Sequence, residues 1–188
     1  MIPDPPYDWT PYILKHGKSR TLWDLLRKEY PLLERDPRRW RKPAVICDID
    51  GVLADSHYRI PLIRNRGWDA FYEAAANDPV VSGMKEVVNA LYRDGNEIIM
   101  LTGRPERYYD LTTDWLMHHR ISFSDIIMRP DTSNVPGAVW KGEHYAALQG
   151  EYVIVAVFDD DPDIIGVAQT MGLPVVPIRS YINHKETK

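Results

Sequence analysis

The sequence predicts an α/β protein, a parallel β-sheet with helices on both faces, and three observations carry that prediction. Apolar runs at 44–49, 97–101, 125–129, 152–158 and 174–178 alternate with helical patterns near 81–93, 105–119, 137–149 and 162–171. Such alternation is the signature of crossover helices joining parallel strands. Polar residues gather where the runs end, as Asp48-x-Asp50-Gly51, Thr102-Gly103-Arg104 and Asp159-Asp160-Asp161. In open sheets of this kind, ligands sit at the carboxyl ends of the strands. The length, 188 residues, suits one well-cored domain with a small appendage.

Residues 1–43 read as that appendage. Residues 1–20 are rich in Pro and aromatics and suggest an extended arm. Thr21-Leu-Trp-Asp24 resembles a capping box and opens a short amphipathic helix that Pro31 stops. Gly17-Lys18-Ser19 looks like the tail of a P-loop, but Tyr12 stands where its first glycine belongs and no strand leads into it. Residues 1–43 carry ten Lys/Arg against six Asp/Glu, and residues 44–188 carry 13 against 21. A basic segment, Arg35–Lys42, therefore precedes an acidic body. It suits phosphates of a polyanion, a solvated linker, or a patch docked on that body.

The first strand, from Ala44, runs directly into two carboxylates and a glycine. Strand side chains alternate with a period of two, so Asp48 and Asp50 are expected on one side. Gly51 lets the chain turn at once through angles that side chains disfavour. Two like charges so close call for a divalent cation or a shared proton. Carboxylate pair, strand end and tight turn together are what a Mg²⁺-assisted phosphoryl-transfer site requires. Cys47, the lone cysteine, falls on the opposite side and reads as core. Its solitude excludes an internal disulfide and suits a reducing, cytoplasmic setting. No apolar stretch reaches membrane-spanning length, and Met1-Ile-Pro-Asp-Pro-Pro6 lacks a signal-peptide pattern.

Asp48-x-Asp50, Thr102, Lys141 and Asp159-Asp160, in this order, resemble the haloacid dehalogenase (HAD) superfamily of phosphohydrolases over residues 44–180. Leu101–Pro105, Asp125–Pro130 and Val157–Pro162 look more closely like the 3′-phosphatase domain of phage-type polynucleotide kinase/phosphatases. The resemblance implies a Rossmann-like HAD fold over 44–188 in which the first and fourth strands are neighbours. It also makes 52–80 a small cap, short enough to leave the site open to large substrates. It casts Asp48 as nucleophile, forming an aspartyl-phosphate, and Asp50 as general acid and base. Thr102 would hold a phosphoryl oxygen, Lys141 would neutralise Asp48 and the phosphoryl charge, and Gly103 and Arg104 would meet substrate. The implied cofactor is Mg²⁺, held by Asp48, by the Asp50 main-chain carbonyl, and by Asp159 or Asp160. Asp161 is left as a helix N-cap before Pro162. Val52 stands where a Thr is common in the family, without loss of obligatory chemistry.

The expected activity is hydrolysis of a phosphomonoester, a nucleotide or polynucleotide 3′-phosphate, with a separate kinase or ligase as partner. A phosphatase of small phosphorylated metabolites and a catalytically idle binding module are the alternatives. His118, His119 and His144 lack the spacing of a zinc site.

Overall fold

The computed structural model describes residues 41–178, so the arm, the helix at 21–30, the P-loop-like tripeptide and most of the basic segment lie outside the described residues. The described elements are β1 (Pro43–Cys47), α1 (Ile60–Glu73), α2 (Ser82–Arg93), β2 (Glu97–Pro105), α3 (Tyr109–His118), β3 (Asp125–Arg129), α4 (Gly137–Glu151), β4 (Val153–Asp159), α5 (Pro162–Thr170) and β5 (Val175–Pro177). The five strands form one parallel sheet in the order β3-β2-β1-β4-β5. β1 is central, with β2 on one side and β4 on the other. The strand order therefore reverses at β1, and the crevice at its carboxyl end is the topological switch point.

Burial follows the period-two rule on both faces of β1. Val45 and Cys47 join Val88 of α2 and Trp115 and Leu116 of α3 in one apolar cluster. Ala44 and Ile46 join Trp140, Tyr145 and Leu148 of α4 and Ile164 and Ala168 of α5 in the other. Both faces are thus dry, and the carboxyl edge is where charged side chains can reach water.

Three boundaries differ from the sequence reading in ways that bear on the site. β1 ends at Cys47, short of the apolar run, because the Ile49 carbonyl turns to accept the N–H groups of Val52, Leu53 and Ala54. β2 runs on to Pro105, so Thr102-Gly103-Arg104 lies inside the strand, where its register to β3 shifts. The helical pattern near 105–119 begins as a 3₁₀ turn at Glu106–Tyr108.

The segment 52–80 leaves and rejoins the sheet at one place. Val81 N–H donates to Leu53 O, and Asp55 N–H to Pro79 O, which pins the two ends of the excursion together. Between them lie a 3₁₀ turn at His57–Arg59, α1 and a second 3₁₀ turn at Ala74–Asn77. α1 is broken at Gly67, whose φ of 86° is left-handed. Among the described residues, no helix is long and apolar enough to cross a membrane.

Candidate active site

The loop after β1 is built from its apolar side. Ile49, Val52, Leu53 and Ala54 are fully buried, and this anchors a turn from which Asp48 and Asp50 point the other way. Asp48 N–H donates to Phe158 O of β4 at 2.9 Å, holding the turn against the end of β4. Gly51 adopts a φ of 79°, as the expected swerve demands.

Asp48 is buried between Lys141 and β4. Lys141 Nζ lies 3.1 Å from Asp48 Oδ2 and 2.7 Å from Asp159 Oδ2, and all three side chains are almost fully desolvated. Burial disfavours the Lys141 ammonium, but Asp48 and Asp159 outweigh it and hold the lysine charged. Asp159 is further committed, its Oδ1 accepting the Asp161 N–H at 3.0 Å. Asp161 itself caps α5, accepting from Asp163 N–H at 2.8 Å and Ile164 N–H at 3.4 Å.

Asp48 Oδ1 is buried and has no hydrogen-bond partner. Carboxylate oxygens of Asp48, Asp159 and Asp160 lie within 4.8 Å of one another. An orphaned carboxylate oxygen beside two further carboxylates fits a hard divalent cation, which takes oxygen ligands. Among the described residues, Asp50 and Asp78 add two further carboxylates to this region, and Lys141, Arg59 and Arg104 pair with them and with Asp48 and Asp159.

The second carboxylate of the pair is gripped from behind. Arg104 Nη2 donates to Asp50 Oδ1 at 2.6 Å and Arg104 Nε bridges both Asp50 oxygens at 3.2 Å. Arg59, from the 52–80 segment, also donates to Asp50 Oδ1. Both guanidiniums continue to Asp78, with Arg59 Nε at 2.8 Å from Oδ1 and Nη2 at 2.6 Å from Oδ2. Arg104 Nη2 reaches Asp78 Oδ2 at 3.3 Å. Arg59 also lies 4.1 Å over the Phe71 ring and donates to Phe71 O at 3.1 Å. The side chains of Arg59, Arg104 and Asp78 are wholly buried, whereas that of Asp50 is 21% exposed and faces the site.

These surroundings split the two carboxyls in an order opposite to the one the assigned roles suggest. Burial pushes Asp48 up to about 8 against the pull of Lys141, with Asp159, Asp50 and Asp160 adding to the rise. Burial also acts on Asp50, but Arg104 and then Arg59 overcome it and hold that carboxyl below its ordinary value. A cation against Asp48 would reverse the first shift.

Asp48, Asp50, Thr102, Lys141, Asp159 and Asp160 thus converge on one crevice. Thr102 is fully buried, its Oγ1 accepting the Arg104 N–H at 3.3 Å. Gly103 offers its carbonyl to the Tyr72 hydroxyl at 3.5 Å. Arg104 is neither a surface residue nor at the mouth of the site, since its fork is occupied by Asp50 and Asp78. The histidines stay outside: His119 packs on Trp115 and His144 Nδ1 meets Trp140 O.

Residues 42–180 match the family described as the polynucleotide kinase PNKP phosphatase domain, a HAD family. The chain belongs to this PNKP phosphatase family. A baculovirus protein provisionally named bifunctional polynucleotide kinase/RNA ligase, from Autographa californica nuclear polyhedrosis virus, is 26% identical over 152 residues. The match covers 78% of this chain and 20% of the viral protein. A chain of a Pnkp1/Rnl/Hen1 complex superposes with a TM-score of 0.64 and 25% identity, over 73% of this chain and 46% of that one. The chain therefore spans less than half the length of these relatives. The class C acid phosphatase of Bacillus anthracis shares the fold, with a TM-score of 0.55 and 14% identity over 94% of this chain and 89% of its own. The α/β HAD fold, the Asp48 pair and the phosphatase family agree. This PNKP-type domain is an enzyme of the phosphatase class.

Sequence reasoning missed Arg59, which holds Asp50 from within the 52–80 segment, and Asp78, which holds the two arginines in place. Neither stands at the end of an apolar run, and no spacing marks them. The one available signal is Arg59 itself, a cation set between Tyr58 and Ile60.

The site also explains Gly51. A Cβ there would stand 2.0 Å from Asp160 Oδ2 and 2.5 Å from its Cγ. Gly51→Ala is expected to drive the Asp160 carboxylate out of the acidic cluster and to add backbone strain of about 1 kcal/mol. The Mg²⁺ concentration giving half-maximal rate should rise by about tenfold or more, the effect of 1.4 kcal/mol in metal affinity. An unchanged Mg²⁺ dependence would remove Asp160 from the metal site.

Proposed function

We propose that this PNKP-type domain is a Mg²⁺-dependent phosphomonoester hydrolase that removes 3′-phosphates from nucleotides or polynucleotide ends through an aspartyl-phosphate. The observation that carries the chemistry is the buried, orphaned Asp48 Oδ1 beside Lys141, Asp159 and Asp160. Family membership carries the substrate class.

Asp48, the Asp50 main-chain carbonyl, and Asp160 or Asp159 would be the ligands, since the three side chains share one acidic cluster. Bound there, Mg²⁺ would supply the charge that keeps Asp48 ionised and offsets the phosphoryl oxygens. Asp48 attacks phosphorus, the bond from phosphorus to the 3′ oxygen breaks, and that oxygen takes a proton from Asp50. Held ionised by two arginines, Asp50 first takes this proton from a phosphomonoester monoanion, whose second pKa is about 6. Water then attacks the aspartyl-phosphate, Asp50 accepts its proton, and phosphate leaves as the Asp48–phosphorus bond breaks. Lys141 stays charged throughout and balances Asp48. Thr102 Oγ1 binds a phosphoryl oxygen.

We place the domain in nucleic-acid end repair, beside a separate kinase or ligase, in the cytoplasm. The viral relative and the matched complex support the partner.

Comparing a 3′-phosphorylated oligonucleotide, a nucleoside 3′-monophosphate and an aryl phosphate, each with Mg²⁺, tests the reading. The expected order of kcat/KM places the oligonucleotide first, with chelation abolishing all three rates. A strong preference for small sugar phosphates would overturn the substrate class. Absence of turnover on every substrate would leave a binding module.

A further inference from the structure

The cap segment turns an aromatic face toward the end of β2. Tyr72 sets its hydroxyl 3.5 Å from the Gly103 carbonyl, beside Thr102. One turn earlier on α1, Trp68 stacks on Tyr72 with ring centroids 5.9 Å apart and planes 24° apart. Tyr108 lies 5.5 Å from Tyr72 and Phe71 meets Trp68 edge-on at 5.5 Å. Phe71 is buried, yet Trp68 leaves 56% of its surface in water. The largest aromatic face of the cap is thus held by its neighbours and left uncovered. The left-handed Gly67 positions it, by breaking α1 immediately before Trp68.

A cation completes the feature. Arg129 ends β3, in register with Pro105, so it stands at the same edge as the Thr102–Arg104 segment. Its Nη2 donates to the carbonyls of Ser133 and Val135, while its Nε is buried and has no partner. Arg59, Arg104 and Arg107 all pair with carboxylates, but among the described residues Arg129 pairs with none. The Arg129 guanidinium thus carries a charge that no carboxylate among the described residues balances, and that charge favours an anion arriving at this edge. Burial and Asp50 push the Tyr72 phenol up to about 12 while Arg129 opposes them, as expected for a ring near both charges.

We propose that Trp68 and Arg129 are the nucleotide-reading part of this site, Trp68 stacking on the base of the phosphate-bearing nucleotide and Arg129 taking the neighbouring phosphodiester. The inference rests on the nucleotide-phosphatase reading and deepens it. The occupant is a polynucleotide end, because a base offers a π-face to Trp68 and only a diester-linked chain brings a second anion to Arg129. Base–aromatic stacking tolerates any base, so this subsite selects for a nucleotide without selecting its sequence.

The test uses the full chain with Mg²⁺ and three substrates: a 3′-phosphorylated oligonucleotide, a nucleoside 3′-monophosphate and glycerol phosphate, which has no base. Trp68→Ala should raise KM on both nucleotide substrates by about 5- to 100-fold, the range one base–aromatic stack supplies. Glycerol phosphate should be unaffected, and Trp68→Phe should retain most of the affinity. Arg129→Gln should raise KM on the oligonucleotide alone, with a steeper penalty at low salt. Equal loss on all three substrates would make either residue structural and overturn the proposal. No loss on any substrate would overturn it as well. If the wild-type chain prefers glycerol phosphate, the nucleotide reading itself fails. If it prefers nucleotides and Trp68→Ala changes nothing, only this inference fails.

Discussion

Asp48→Asn is expected to abolish phosphate release, by about 10⁴-fold or more, while leaving the fold intact. An amide cannot form the phosphoenzyme, and no other carboxylate can take its place. Asp159 is committed to Lys141 and the Asp161 N–H, and Asp50 is gripped by two arginines. The same substitution should act on stability in the opposite direction. Because burial lifts Asp48 to about 8, the native state keeps a proton that the unfolded chain releases near 4. Its contribution to stability is fully present below about 4 and is lost as pH rises through 8. Metal-free wild type should therefore lose melting temperature between about pH 4 and pH 8 and level off above that. Asp48→Asn should flatten that slope and melt higher than wild type at pH 9. Mg²⁺ should restore the wild type at pH 8 and do far less for the variant. Clear turnover by purified Asp48→Asn would refute the nucleophile, and parallel melting curves would refute the buried charge.

The sheet and much of the crevice were legible because burial on both faces writes strands as apolar runs that stop where water begins. Asp48, Thr102 and Asp159 each follow such a run, and Asp50 lies two residues beyond Asp48. Lys141 was legible only through motif order, since its own helix gives no hint that it is buried against two carboxylates. Arg104 was seen, but its partner was not. Its spacing from Asp50, 54 residues along the chain, hides a contact that only the adjacency of β1 and β2 creates. Arg59 and Asp78 left little trace for a related reason. Polar residues in a long connection read as solvated loop, and what buries these two is their pairing with each other and with Arg104.

Breaking that pairing should cost as much stability as truncating a large core side chain. Asp78→Ala removes the acceptor for three guanidinium hydrogen bonds and leaves Arg59 and Arg104, both fully buried, sharing only Asp50. The intact network is no strong stabiliser, since burial pushes even Asp78 up against the pull of Arg59 and Arg104. Removing one partner is a different matter, because a desolvated charge is left uncompensated, at about 3–5 kcal/mol. For a domain of this size that corresponds to a fall of roughly 10 °C in Tm. Asp78→Asn keeps one carbonyl acceptor and should lose less. Arg107→Ala is the natural control: it also breaks two ion pairs, to Asp69 and Asp131, but those are exposed to water and contribute little. At temperatures where Asp78→Ala is still folded, kcat should fall with KM little changed, because Asp78 touches no substrate and acts through Asp50. A melting loss no greater than that of Arg107→Ala would mean that water reaches Arg59 and Arg104, and that Asp50 is not held as the geometry requires.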